Sequence, residues 1–311
     1  MTKERSSRPL KVGVQLPEVE REVRWPELRD MARVAEQVGF DSIWVGDHLL
    51  YRDDDQPPRG PWEAWSVLAA LAGLTDRVEL GPLVASVSFH NPAMLAKKAA
   101  TVDEISGGRL ILGLGAGWNE TEYRAYGFPF DHRVDRFEEA FAIVRALLRE
   151  GHVDFAGRYH QAPDCVLVPR SKRERGPPIM VGTTGPRMLR LAAAHANAWN
   201  AWFTWYGNRP EGIAALRQSV DAACADVGRD PATLERTLAA LVQVGTGAAT
   251  RRGGASVKAP PIRGSDEEIA AVLRGIAAEG ISHVQLVVDP ITVGSIERLG
   301  SVLAALSAPA R

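Results

Sequence analysis

The chain has 311 residues, of which 45% are hydrophobic and 24% charged, enough to bury a large core as two ordinary domains or as one large α/β barrel. Its 37 basic and 38 acidic residues leave a net charge of -1, which provides no field to gather nucleic acid or an anionic membrane surface and points to a small, weakly charged partner. Two cysteines, Cys165 and Cys224, without metal-ligand spacing, argue against a disulfide framework and a Cys-based zinc site and suit a reducing compartment. The opening MTKERSSRPL carries charge with no apolar run behind it, and no stretch reaches the about 20 apolar residues that span a bilayer. The expectation is a soluble, cytoplasmic protein.

Short apolar runs alternate with stretches of helical period along the chain. Residues 11–16 (KVGVQL) read as a first strand stopped by Pro17, and residues 26–38 as a helix that repeats Leu28, Met31, Ala32, Ala35 and Val38 and closes at Gly39. Strand two is 42–45, followed by a helix over 62–74. Strand three is 78–86, and its helix, 93–105, opens with Asn91 as N-cap and Pro92 at the first position. Strand four is 109–114, with a helix over 136–149. Further strands at 178–181, 198–201, 238–245 and 283–288 precede helices at 187–194, 211–227, 266–279 and 296–306. Segments 159–177, rich in Pro and Arg, and 246–264 break the rhythm and read as long mobile loops of the kind that serve as lids.

Eight strands, nearly all followed by a helix, must be parallel and buried on both faces, which explains why they are apolar throughout. A (β/α)8 TIM barrel fits the length and the unit count best, with an open doubly wound sheet as runner-up. No internal repeat is visible. In such a barrel the chemistry sits where strands end in their following loops, so the strand ends are the places to read.

Strand two ends in SIWVGDHLL, which places Asp47 and His48 directly after a dry strand. An imidazole beside a carboxylate can be held in one orientation and kept ready to donate or accept a proton; the plain reading is a turn-capping Asp and a surface His. After strand four, GLGAGWNE (113–120) has glycines at 113, 115 and 117. Either these leave backbone amides open to a phosphate or a flat ring, or they form a corner where strands crowd. The spacing is not that of the dinucleotide fingerprint. VGTTGPR (181–187), with Gly182, Thr183, Thr184 and Gly185 before Pro186 and Arg187, is either an anion site at a helix start or a tight turn. LVASVSFHNP (83–92), with Leu83, Val84 and Ser86, either walls a flat cofactor or is an ordinary strand-to-helix loop.

Gln15 would point into the barrel or its mouth, where a buried amide needs partners, and Asn200 ends a strand beside Trp199. Arg133, Arg136, Glu138 and Glu139 read as surface or inter-helix ion pairs without chemistry. Trp62, Trp65, Trp118, Trp202, Phe203, Trp205 and Tyr206 suggest an apolar, aromatic pocket, or else core and dimer contacts.

The set VGVQLP, WVGDH, NPAMLAKKAATVDEISGGRLILGLGAGW, PIMVGTTGPRMLRLAAAHANAWN and GRDPATLER resembles the bacterial luciferase-like monooxygenase superfamily, in its branch with coenzyme F-420-dependent oxidoreductases. The resemblance covers nearly the whole chain, and the block 106–118 is highly specific for the superfamily and less so for the cofactor. It implies one luciferase-like (β/α)8 barrel domain over 1–311, with an inserted region after strand seven, binding F-420 or FMN at the strand C-termini. By motif, Asp47 and His48 resemble the pair facing the deazaflavin ring, with the histidine near the hydride-bearing carbon. Leu83 and Val84 match a non-prolyl cis peptide that forms a bulge behind the ring. Gly117 and Trp118 match the backbone holding the cofactor phosphate, and Gly182, Thr183 and Thr184 match a second cofactor loop.

Two departures stand out. Where relatives often read Ala-Asp-Gly-Trp-Asn, this chain has Ala196, Asn197, Ala198, Trp199 and Asn200. The acid that often follows the glycine motif in the sugar-phosphate dehydrogenases of the group is here Trp118, which argues against that substrate.

The resemblance implies hydride transfer between F-420 and a small organic substrate, because a deazaflavin carries hydrides and activates oxygen poorly. The alternative is a two-component monooxygenase, in which a separate reductase supplies reduced FMN. A non-catalytic flavin-binding homologue is the third reading. A homodimer through the helices after strands two and three is implied as in relatives, as is a flavin or F-420 reductase as partner.

Overall fold

A computed structural model describes residues 8–52, 57–245 and 259–308. In chain order these form β1 Lys11–Gln15, α1 Trp25–Val38, β2 Ser42–Val45, α2 Ala64–Leu74, β3 Glu79–Pro82, β4 Ala85–Ser86, α3 Pro92–Ile105, β5 Leu112–Gly115, α4 Glu120–Tyr126 and α5 Arg133–Glu150. They continue as β6 His152–Ala156, β7 Gln161–Val166, β8 Ile179–Gly182, α6 Pro186–His195, β9 Ala198–Ala201, α7 Ile213–Asp226, β10 Glu235–Gln243, α8 Asp266–Ala278, β11 His283–Asp289 and α9 Val293–Ser307. All eight expected strand positions carry a strand. The third runs as β3 and β4, and the Leu83–Val84 peptide between them is cis.

The chain divides into two compact units, residues 1–44 with 183–311 and residues 45–182. In the first, parallel strands lie in the order β2, β1, β11, β10, β9, with Gly13 level with Ser42 and with Gln285. Every residue of β11 is buried, as is all of β1 after Lys11. Strands covered on both faces favour apolar side chains at most positions, so their sequences do not alternate. Helix α1 buries Leu28, Met31, Ala32 and Ala35 as one stripe, and Ser265 and Glu268 cap α8 reciprocally.

At the sequence-proximal ends of these strands, Trp44 Nε1 donates to Ser42 Oγ at 2.7 Å, and the same hydroxyl meets His283 Nε2 at 2.7 Å. A Cβ at residue 13 would overlap Ser42 Oγ and crowd the Trp44 indole, so only glycine fits the strand facing this group.

In the second unit, β4, β5 and β8 are parallel neighbours, and Leu80 of β3 bridges Leu110. Asn91 caps α3 by accepting from Met94 N, as the Asn-Pro pair predicts. Segment 159–177 departs from the expectation of a mobile loop. Its first part is β7, paired antiparallel with β6, and its second part is fastened by arginines. Arg173 binds the buried Asp103 and Leu110 O, and Arg170 donates to Arg149 O at 2.9 Å. The segment's Arg content reflects these backbone and carboxylate contacts. Of the other expected lid, residues 246–258 lie outside the described residues, while Ile262 bridges Val242. Among the described residues no helix is long and apolar enough to cross a membrane.

Burial, with a smaller contribution from Lys11, holds the pKa of His283 down to about 3, so the ring is neutral in the folded protein. In the unfolded chain the value returns to about 6.5. Between these values the unfolded state binds a proton that the folded state refuses, so this contribution is fully present above about pH 6.5 and declines as pH falls toward 3. The decline is at most about 1.4 kcal/mol per pH unit. Urea unfolding from pH 7 to pH 4 is expected to show this acid-side loss, and His283→Gln to flatten it.

Candidate active site

The loop that leaves β2 begins with two residues whose partners differ. Asp47 is 3% exposed, and its Oδ2 accepts from Ser86 N at 2.9 Å and meets His90 Nε2 at 2.9 Å. It therefore ties the end of β2 to β4 and to the start of α3. The expectation that Asp47 holds the imidazole beside it is corrected. The carboxylate on His48 is that of Glu122, with Nδ1 and Oε1 2.8 Å apart. Adjacent residues in an extended segment point to opposite sides, so sequence neighbours rarely share a hydrogen bond.

Glu122 is 1% exposed and sits in α4, a two-turn helix that no apolar run in the sequence announces. Its Oε2 also accepts from Leu49 N at 2.8 Å and Leu50 N at 3.3 Å. Asn119, just before the helix, donates from Nδ2 to Leu50 O at 3.0 Å. Three backbone groups of the loop 49–50 thus depend on 119–122. The His48 ring lies against Tyr51 and Trp118, with centroids 4.9 and 5.6 Å away. Its side chain keeps 17% exposure, and the Trp118 residue 58%.

The glycine motif is shaped by the chain's own packing. A Cβ on Gly113 would come within 3.0 Å of Val84 Cγ1, and one on Gly115 within 2.6 Å of Val84 Cγ2. A Cβ on Gly182 would lie 3.3 Å from both Val84 methyls. Gly113 and Gly115 thus stand in a crowded corner against the β3–β4 segment. Gly117 has φ +74°, and a Cβ there would overlap Tyr123 Oη and Ser86 Oγ. Tyr123 Oη donates to Ala116 O and lies 2.9 Å from Ser86 Oγ; burial pushes the phenol's pKa up, so it remains a donor.

Arg133, expected to form a surface or inter-helix ion pair, donates to Gly117 O at 2.8 Å and stacks over Phe130. Glu139 is likewise more than a surface charge, because it accepts the backbone N–H groups of Arg158, Tyr159 and His160. Arg136 does pair with Asp131.

The remaining candidates belong to the first unit. Gln15 is buried and donates to Glu18 Oε2 at 2.8 Å, while its own Oε1 has no hydrogen-bond partner among the described residues. Asn200 donates from Nδ2 to Thr237 Oγ1 and Gln285 Oε1, both at 2.8 Å, within a buried polar network. Thr183 Oγ1 accepts from Gly185 N at 3.1 Å, and Thr183 O accepts from Trp199 Nε1 at 2.7 Å. Thr184 and Gly185 are exposed just before α6, whose N-terminus has no side-chain cap and carries Pro186 in its first turn. In the second unit the structure brings together Asp47, His48, Val84, Ser86, Gly115, Gly117 and Trp118, and adds Glu122, Tyr123 and Arg133 to them.

The family model described as luciferase-like monooxygenase matches residues 10–279. Among curated relatives, the phthiodiolone/phenolphthiodiolone dimycocerosates ketoreductase of Mycobacterium bovis (strain BCG / Pasteur 1173P2) is 33% identical over 228 residues, 66% of this chain and 58% of that protein. The 5,10-methylenetetrahydromethanopterin reductase of Archaeoglobus fulgidus is 29% identical over 208 residues, 67% of this chain and 57% of that protein. The chain thus spans less than two thirds of the length of the curated relatives it matches. Among solved structures, an F-420-dependent secondary alcohol dehydrogenase in complex with an F-420–acetone adduct superposes with a TM-score of 0.80 at 20% identity, over 96% of this chain and 99% of that one. Likeness of this extent shows the fold to be the luciferase-like (β/α)8 barrel, and the doubly wound alternative falls.

Gly117→Ala is expected to lower stability by about 2 kcal/mol or more, because a left-handed backbone and an overlap with Tyr123 and Ser86 add together. Urea unfolding of the variant beside the parent measures this loss.

Proposed function

The chain belongs to the luciferase-like monooxygenase family, and from that premise we propose that it is an oxidoreductase that uses coenzyme F-420 to move a hydride to or from a carbonyl or alcohol carbon of a small organic substrate. The observation that carries this reading is His48, an imidazole held at Nδ1 by a buried carboxylate while the ring keeps some exposure beside the Trp118 indole. Fixed in this way, an imidazole can give a proton to, or take one from, an oxygen whose carbon changes oxidation state. The names of the relatives support the same chemistry, since a ketoreductase, a reductase and a secondary alcohol dehydrogenase all carry out reduction or its reverse.

The donor set fits a flat cofactor with an anionic tail. Gln15 keeps a buried acceptor with no hydrogen-bond partner among the described residues, and a helix start without a side-chain cap follows Thr183, Thr184 and Gly185. These residues, with Leu83, Val84, Ser86, Gly115, Gly117, Gly182 and Asn200, are the ones we assign to holding F-420. When bound, the deazaflavin supplies the hydride acceptor or donor. The protein's share is to keep its hydroxyl and imidazole groups in place: Asp47 anchors Ser86, Tyr123 meets the Ser86 hydroxyl, and Glu122 fixes His48. Trp118, where relatives acting on sugar phosphates carry an acid, gives this position an apolar surface and favours an uncharged substrate.

We take residues 1–311 as one luciferase-like domain acting in the cytoplasm as a homodimer, with a separate F-420 reductase renewing the cofactor. Exposed Met94 and Ile105 on α3 support such a dimer face.

Fluorescence titration of the purified protein with F-420 and FMN in parallel is expected to give tight F-420 binding and weak FMN binding. Turnover of secondary alcohols or ketones should fall about 10²-fold or more in His48→Ala. Preference for FMN overturns the assignment and points to a two-component monooxygenase.

A further inference from the structure

We infer that Glu122 is a positioning residue that dictates which nitrogen of His48 works, locking the ring's proton on Nδ1 so that protons leave and arrive at Nε2. The inference rests on the reading of His48 given above for its catalytic meaning, and on geometry alone for the proton's place.

Three donors or potential donors converge on one buried carboxylate. Oε2 takes the backbone N–H groups of Leu49 and Leu50, and Oε1 faces His48 Nδ1 at 2.8 Å. Ionised, Glu122 has acceptors only, so a hydrogen bond to Nδ1 requires the proton to be on the ring nitrogen. In the neutral imidazole this leaves Nε2 as the basic nitrogen; in the imidazolium it makes Nε2 the nitrogen that gives up its proton. The two backbone contacts add a second constraint. They fix the carboxylate relative to the residues that immediately follow His48, so the carboxylate cannot turn away without leaving Leu49 N and Leu50 N unmatched. Asn119 adds a third tie to the same loop by donating to Leu50 O.

The same geometry predicts what an isosteric change does. In Glu122→Gln the two backbone N–H groups require the amide carbonyl oxygen, because the NH2 group accepts nothing. The NH2 group is then left facing Nδ1, which must become an acceptor, and the ring proton moves to Nε2. Shape and backbone contacts are kept while the polarity of one hydrogen bond reverses. A role confined to packing or to holding the loop would survive this substitution; a tautomer-setting role would not.

The test uses the full-length protein labelled with 15N at histidine, without added cofactor. Long-range 1H–15N spectra are recorded up to a pH at which the ring is neutral, and the His48 signals are identified by their loss in His48→Asn. The parent is expected to show a protonated Nδ1 and an unprotonated Nε2, and Glu122→Gln the reverse. In turnover, Glu122→Gln should lower kcat about 10²-fold or more, as an inverted tautomer does in hydrolytic triads, with KM and cofactor affinity changed less than about 3-fold. A neutral His48 with its proton on Nε2 in the parent overturns the inference, as does an unchanged tautomer in the variant. Should Glu122→Gln fail to fold, the parent spectrum alone decides. A protein that prefers FMN, with the parent tautomer as expected, overturns the proposed function and leaves this assignment standing.

Discussion

A carboxylate placed out of reach of water must be met by hydrogen-bond donors, and two such carboxylates organise the second unit. Asp47 collects Ser86 N and His90; Glu122 collects His48, Leu49 N and Leu50 N. Glu122 is met largely by backbone N–H groups of the loop 49–50, and Asp47 by one backbone N–H and one imidazole. The acids and the irregular backbone therefore depend on each other. Without the loops the charges would be stranded, and without the charges the loops would have donors left over. The result is that residues 47–50 are tied in place although they belong to no regular element.

A second layer of order comes from shape. Val84 fills the space that side chains on Gly113 and Gly115 would need, and it leaves Gly182 little room. Ser86 and Tyr123 do the same at Gly117. The glycine motif is also a surface hollowed to accept the β3–β4 segment. Where Gly117 is concerned the two purposes are compatible, because its carbonyl is held by Arg133 from one side while its neighbour Trp118 projects outward.

The strands were legible because both-face burial writes itself as a mainly apolar run without alternation, and β1, β2, β9 and β11 carry that mark despite a few buried polar residues such as Gln15, Asn200 and Gln285. Asn91 and Pro92 announced α3 through capping chemistry. The importance of Asp47 and His48 could be read from their place after a dry strand, yet their partners could not, because those partners lie far along the chain. Glu122 is 74 residues from His48 and sits in NETEYRAY, a charged stretch too short for helical period to emerge. The β6–β7 hairpin was hidden for a different reason. Its residues are largely exposed, β6 alternates over five residues only and β7 includes Pro163, so the strand signal is short and weak. Arg133 looked like one charge among many on a polar helix start, and only the fold brings it to Gly117 O.

The fastening of residue 118's two neighbours has a mechanical consequence. Gly117 O is held by Arg133 and Asn119 by Leu50 O, while among the described residues the exposed Trp118 ring lies against the rings of His48 and Tyr51. A change of side chain at residue 118 therefore alters an exposed surface while both of these backbone anchors stay in place.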